Sequence, residues 1–246
     1  MGTKAKAIRM AAQGGPDVLK LETVELAAPG KGEVLMRQTA IGLNFIDIYF
    51  RDGSYALDLP AGLGAEAAGV VEAVGEGVTE FKAGDRVAYG GSAPGAYATH
   101  RLMPAARLVP IPQSVSDEAA AAVLMKGMTA EYLLNRCVAV KPGQQVLFYA
   151  ASGGVGLIAG QWGKHLGARM IGVISGGKKA ELALAHGYDA VIDRKTERIP
   201  ERVKALTGGK GVIKPMIGHR YALSEAATAH RDLEAGSTKG SSLLIP

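Results

Sequence analysis

Disulfide bonding within the chain and Cys-rich zinc ligation are excluded at the outset, because the 246-residue sequence contains one cysteine, Cys137. Such scarcity fits a reducing cytoplasm. Histidine is sparse too: His100, His165, His186, His219 and His230 form no HxxH or HxxxH pair, and no metal site is expected. No stretch approaches the roughly 18 consecutive apolar residues of a membrane span. The opening "MGTKAKAIRM" lacks the apolar segment and cleavage site of a secretory signal. The chain therefore reads as soluble, unexported and cytoplasmic, with no membrane partner. Recognised RNA-binding motifs, repeats and low-complexity segments are also lacking.

What is present is ample apolar material, 48% of residues, enough for a packed core of one large or two ordinary domains. The net charge of +5 is unevenly spread: residues 1–122 carry −3 and residues 123–246 carry +8. A basic C-terminal half suits an anionic ligand there, or a solvated lysine face.

Up to about residue 120 the sequence runs in short Val, Ile, Leu, Thr and Tyr segments broken by Gly, Pro or Asp, such as "GEVLMRQTAIG" and "AAGVVEAVGEGV". That spacing predicts a β domain with tight turns. The texture changes at "SDEAAAAVLMKGMTAEYLL", where Ser116 can cap a helix whose first turn carries Asp117 and Glu118 against the positive dipole end. Beyond "KPGQQ" strands and helices alternate: strand 146–150, helix to about 166, strand 169–174, helix 179–186, strand 190–193, and a helix from near 197 to 206. Such alternation predicts a parallel sheet with crossover helices. The tail offers a helix capped at Ser224, a stop at Gly236 and a last short strand.

The loop "AASGGVGLIAGQ" follows the first of these strands and opens a helix. Ala151, Gly153 and Gly156 fall on the three glycine places of GxGxxG, and small residues there let the backbone approach a pyrophosphate at a helix N-terminus. Gly153, Gly154, Val155 and Gly156 are therefore candidate cofactor-binding residues. At the end of the next strand an NAD site would place an acid against the ribose hydroxyls. Here "VISGGKKAEL" offers Ser175, Lys178 and Lys179, and the first acid is Glu181. Two ammonium groups and a hydroxyl suit a 2′-phosphate, so the cofactor expected is NADPH; solvated lysines at a helix start are the plainer alternative.

These residues, with "GLNFIDIYFRDGSY", "GLGAEAAGVVEAVGEGV" and "AASGGVGLIAGQWGKHLGA", make the chain resemble the zeta-crystallin-type quinone oxidoreductases of the medium-chain dehydrogenase/reductase superfamily, over nearly its whole length. The resemblance implies an α/β protein in which a GroES-like β domain packs on a Rossmann domain, with the active site in the cleft between them. The boundaries expected are 1–122 for the catalytic domain, 123–212 for the NADP-binding domain, and 213–246 for a return to the catalytic domain. Zinc-dependent relatives carry metal ligands near the positions of "NFID" and "GAE". Asn44 and Ala65 cannot stand in for Cys and His, which implies the zinc-free branch.

The activity so implied is transfer of hydride or single electrons from NADPH to a quinone. Asn44, Asp47, Tyr49 and Arg51 match the family's signature segment. Asn44 and Tyr49 are expected near the nicotinamide ribose and substrate, with a structural ion pair as the alternative role for Asp47 and Arg51. Lys126, Thr129 and Tyr132 match positions at the head of the helix bordering the family's cleft, and Tyr132 is a candidate for the nicotinamide end. Arg194 stands where the family often has an aromatic residue near the adenine, and its guanidinium can stack on adenine or pair with the 2′-phosphate. Alternative readings are a non-catalytic NADPH-binding or RNA-associated remnant, and a reductase of activated alkenes such as enones or enoyl thioesters.

One departure from the family is expected to matter. Between Val212 and Ile213 the sequence passes from "LTGGKGV" directly to "IKPMIGHRYALSEA", which resembles the family's C-terminal return. By that comparison roughly seventy to ninety residues of the Rossmann domain are absent. They would have carried strands four to six, nicotinamide-side contacts and the edge of a homodimer. The domain is then internally shortened and its first strand left at an open edge, with Pro215 making the joint a poor substitute for strand four.

Overall fold

The computed structural model describes residues 2–209, 217–235, 237 and 241–245. The chain divides into two compact units, Met1–Ala139 and Val140–Pro246.

The first unit contains β1 (Thr3–Met10), β2 (Lys20–Leu26), β3 (Glu33–Gly42), α1 (Phe45–Asp52), β4 (Ala61–Gly62), β5 (Glu66–Val74), β6 (Arg86–Tyr89), β7 (His100–Pro104), β8 (Val109–Pro110) and α2 (Asp117–Glu131). Its strands form an antiparallel sheet in the order β7-β3-β5-β6-β8 and a smaller one in the order β2-β1-β4. Strand periodicity explains the core. One set of side chains from β3, β5, β6 and β7, including Val34, Met36, Val71, Tyr89 and Met103, closes on itself. On the other face Ala68 and Ala88 meet Ile111 and Ala121, which packs α2 onto the sheet. Because α2 buries its small residues there, it belongs to the first unit. The boundary accordingly falls after Ala139, where the sequence reading draws it after residue 122.

Ser116 caps α2 by accepting the Ala119 N–H at 3.1 Å. The helix runs on into a π-helical turn, Tyr132–Cys137.

The second unit alternates β9 (Gln145–Tyr149), α3 (Gly154–His165), β10 (Arg169–Ile174), α4 (Lys178–Ala185), β11 (Ala190–Asp193) and α5 (Ile199–Leu206). All three strands are parallel, in the order β11-β10-β9. Central β10 is an almost unbroken apolar run, as a strand covered on both faces must be. Ile171, Ile192 and Val203 centre the core, with Leu147, Ile199 and Leu206 against it. Among the described residues β9 pairs only with β10, so it is an edge strand.

Farther on, β12 (Ile217–Ala222) and β13 (Ser241–Ile245) form a two-stranded parallel sheet, with α6 (Ala226–Glu234) between them in sequence. Glu225 closes the turn before α6, its Oε2 accepting the Ala222 N–H at 2.8 Å. This segment clusters with the second unit, whereas the sequence reading assigns residues 213–246 to a return to the first. The expected joint at Val212 and Ile213, Pro215 and the stop at Gly236 lie outside the described residues.

Candidate functional site

In the second unit the chain leaves β9 through Ala150, whose φ of 53° lies in the left-handed region. The Gly153 N–H donates back to the Ala150 carbonyl at 2.8 Å, closing the turn. Gly153 caps α3 without a side chain, so the N–H groups of the first turn meet no side-chain acceptor from the cap. Such an end attracts anions. Gly156 is required for a different reason: a Cβ there would collide with Ala150 O and reach the Ala151 carbonyl carbon at 2.7 Å. Tyr188 locks that contact by donating its hydroxyl to the Gly156 carbonyl at 2.8 Å, and burial pushes its phenol pKa well up.

Against this turn lies a cavity of about 340 Å³ whose wall includes Gly153, Ser175, Lys179 and Arg194. Four of the predicted cofactor residues are thus brought together. The Lys179 ammonium reaches Ser175 Oγ at 3.3 Å, and among the described residues neither Lys179 nor Arg194 forms an ion pair with a carboxylate. Asp193, at the end of β11, spends its Oδ1 on the N–H groups of Gly176 and Lys195, both at 3.0 Å. The cavity is therefore cationic. Lys178 opens α4, and Gly154, Val155 and Gly156 form the first turn of α3; none of the four lines the cavity.

In the first unit the signature residues cluster around α1. Asp47 is 4% exposed; its Oδ2 accepts the Asn44 backbone N–H at 2.8 Å and the Tyr97 hydroxyl at 2.8 Å. Burial, followed by the Asp47 carboxylate, drives the Tyr97 pKa far up, so its phenol stays a donor. Arg51 donates instead to the Gly14 carbonyl at 3.2 Å. The ion pair considered between Asp47 and Arg51 is absent among the described residues, because each side chain is claimed by a different partner. Tyr49 is partly exposed, with its ring 5.7 Å from that of Phe45 and 5.4 Å from that of Tyr55.

Asn44 Nδ2 donates to Glu66 Oε1 at 2.9 Å, and the Lys126 ammonium reaches the same oxygen at 2.7 Å. Thr129 turns its hydroxyl into its own helix, donating to the Met125 carbonyl at 2.8 Å. Tyr132 is exposed, its phenol pKa raised by the neighbouring Cys137 thiol. Among the described residues no group of three or more His, Cys, Asp or Glu side chains is placed to hold a metal ion. Glu66, Tyr97 and Tyr55 escaped the sequence reading. Glu66 left a signal nonetheless, since a lone acid in the apolar run "GLGAEAAGVV" has to find a partner if the strand is buried.

Two protein families match the chain: "Alcohol dehydrogenase GroES-like domain" over residues 30–113 and "Zinc-binding dehydrogenase" over residues 154–231. A quinone oxidoreductase of Pseudomonas aeruginosa is 50% identical over 207 residues, which are 84% of this chain and 64% of that protein. The chain thus spans less than two thirds of that relative's length. The crystal structure of Escherichia coli quinone oxidoreductase complexed with NADPH is 47% identical, with a TM-score of 0.82 over 83% of this chain and 63% of that one. A quinone oxidoreductase structure from Pseudomonas syringae pv. Tomato is 38% identical, with a TM-score of 0.83 over 98% of this chain and 100% of that one. The first unit is accordingly a GroES-like domain, and the second a Rossmann-type parallel-sheet domain.

Proposed function

Since this chain belongs to the quinone oxidoreductase family of the medium-chain dehydrogenase/reductases, we propose that it is a zinc-independent, cytoplasmic NADPH:quinone reductase. The observation that carries the reading is the cationic cavity beside the glycine turn, where Ser175, Lys179 and Arg194 converge and, among the described residues, neither Lys179 nor Arg194 is ion-paired to a carboxylate. The first turn of α3 would hold the pyrophosphate, and those three side chains would hold the 2′-phosphate that separates NADPH from NADH. Lys178 adds positive charge at the head of the same helix as Lys179.

A bound NADPH supplies two electrons, and a quinone that accepts them takes up one hydride equivalent and one proton to become a hydroquinone. The protein's part is alignment. Tyr49, exposed beside Tyr55, would offer an aromatic face to a planar acceptor, and Asn44, held by Glu66, would offer a fixed polar edge to nicotinamide ribose or substrate. Lys126 and Thr129 have their polar atoms already engaged, which points to a supporting role, while Tyr132 stays accessible.

The decisive experiment is NADPH oxidation followed by absorbance with p-benzoquinone, with and without a chelator. Turnover is expected, and the chelator is expected to leave it unchanged. In Lys179→Ala the KM for NADPH should rise roughly tenfold, the loss of one charge-assisted hydrogen bond, while that for NADH barely moves. Folded protein that is inactive with several quinones would refute the assignment, and equal use of NADH by the unaltered chain would refute the cofactor.

A further inference from the structure

Glu66 is fully buried, yet it sits on β5 among alanines and valines. Its two carboxylate oxygens take three donors. Oε1 accepts from Asn44 Nδ2 at 2.9 Å and from Lys126 Nζ at 2.7 Å, and Oε2 accepts the Met125 backbone N–H at 2.8 Å. Room for it is built into the neighbouring strand, because a Cβ at Gly42 would overlap the Glu66 side chain. Stability alone is a poor reason to bury this charge, since apolar side chains of similar shape often serve as well as a buried ion pair. Orientation is a better one. The carboxylate fixes where the nitrogen of the Asn44 carboxamide points, and it ties the start of α1 to the middle of α2 through three separate hydrogen bonds.

We propose that Glu66 is a positioning residue of the reductase site: it holds the Asn44 carboxamide in its working orientation, with Lys126 as the partly buried counter-charge that makes the carboxylate tolerable there. The inference rests on the reading above in which Asn44 faces nicotinamide ribose and substrate. It also recasts Lys126. The ammonium reaches into the domain toward Glu66, with its side chain 18% exposed, and this proposal gives it a supporting part beside the cofactor role expected from the sequence.

Glutamine is the informative replacement. It has a single acceptor oxygen, so it can serve the Met125 N–H or the Asn44 and Lys126 side, and never both. Positioning through Asn44 makes a specific demand on a double-mutant cycle. Glu66→Gln should lower kcat roughly 10- to 100-fold, as a misaligned active-site group does, with the dissociation constant for NADPH little changed in a fluorescence titration. Asn44→Ala should also slow turnover, and the double variant should be no slower than Asn44→Ala alone. Losses that multiply, or a Glu66→Gln enzyme with unaltered kcat, would overturn the proposal, because a residue that merely supports the fold does not couple to Asn44 in this way. Should Glu66→Gln melt early, the Glu66→Gln/Lys126→Met protein removes both charges, and the cycle with Asn44→Ala is read in that background. Wild-type protein without quinone turnover would be a different result: it defeats the functional reading and this proposal together, before any variant is made.

Discussion

Tyr97 shows how one side chain ties the signature segment to the β domain. Its hydroxyl donates to Asp47 from far along the chain, beside the local Asn44 N–H, and Asp47 is nearly buried. Tyr97→Phe should cost about 1–2 kcal/mol at neutral pH by leaving that carboxylate short of a donor, measurable by urea unfolding. The sign of its pH dependence follows from a phenol pKa raised on folding, chiefly by burial and then by Asp47. Protonated phenol favours the folded state, so the contribution is complete below the ordinary tyrosine pKa and is lost as pH climbs beyond about 10. The stability gap between wild type and Tyr97→Phe should therefore narrow in alkali, and a gap that widened would contradict the assignment. At Gly156 the limit is steric. Gly156→Ala drives a Cβ into the turn at Ala150 and Ala151, and should cost about 1–3 kcal/mol while weakening NADPH binding.

Among the elements, α2 is anchored at its N-terminus. Asp117 accepts Arg86 Nη2 at 2.6 Å and Thr39 Oγ1 at 2.6 Å, which outweigh the opposing effect of burial and lower its pKa. A depressed carboxyl pKa stabilises the fold above the unfolded-state value and is lost as pH falls through the folded one. Asp117→Asn should thus lower stability at neutral pH by about 1–3 kcal/mol, with the difference shrinking as pH falls below the ordinary carboxylate range. The same element shows what the sequence could and could not disclose. Its cap at Ser116 and its acidic first turn were legible, because capping chemistry is local. Its domain membership was not, since that depends on Ala121 meeting Ala68 and Ala88 across long sequence separations. The alternation from β9 to α5 was readable within a residue or two for the same local reasons, and the convergence of Ser175, Lys179 and Arg194 followed from strand ends in a parallel sheet. Glu66 stayed hidden because its partners, Asn44 and Lys126, come from opposite directions along the chain, and no periodicity connects them.

For the molecule as a whole the feature with the widest consequence is the β9 edge of the Rossmann-type sheet. Arg169 N–H binds the Gln144 carbonyl, and the parallel register that follows turns the backbone groups of Gln145, Leu147 and Tyr149 away from β10. Among the described residues no strand receives them, and the five-residue β9 carries no charge or proline of the kind that protects edges. Hydrogen exchange on the intact chain resolves this residue by residue. If the edge is open, the Leu147 and Tyr149 amides exchange much faster than those of Met170 to Val173 in central β10. NADPH then slows the amides of the first turn of α3 and leaves the β9 edge as it was. Equal protection of Leu147 and β10 would mean that another strand covers the edge, and its source can be read from dilution. Protection that falls with protein concentration identifies a second copy, whereas protection that persists identifies a strand of the same molecule.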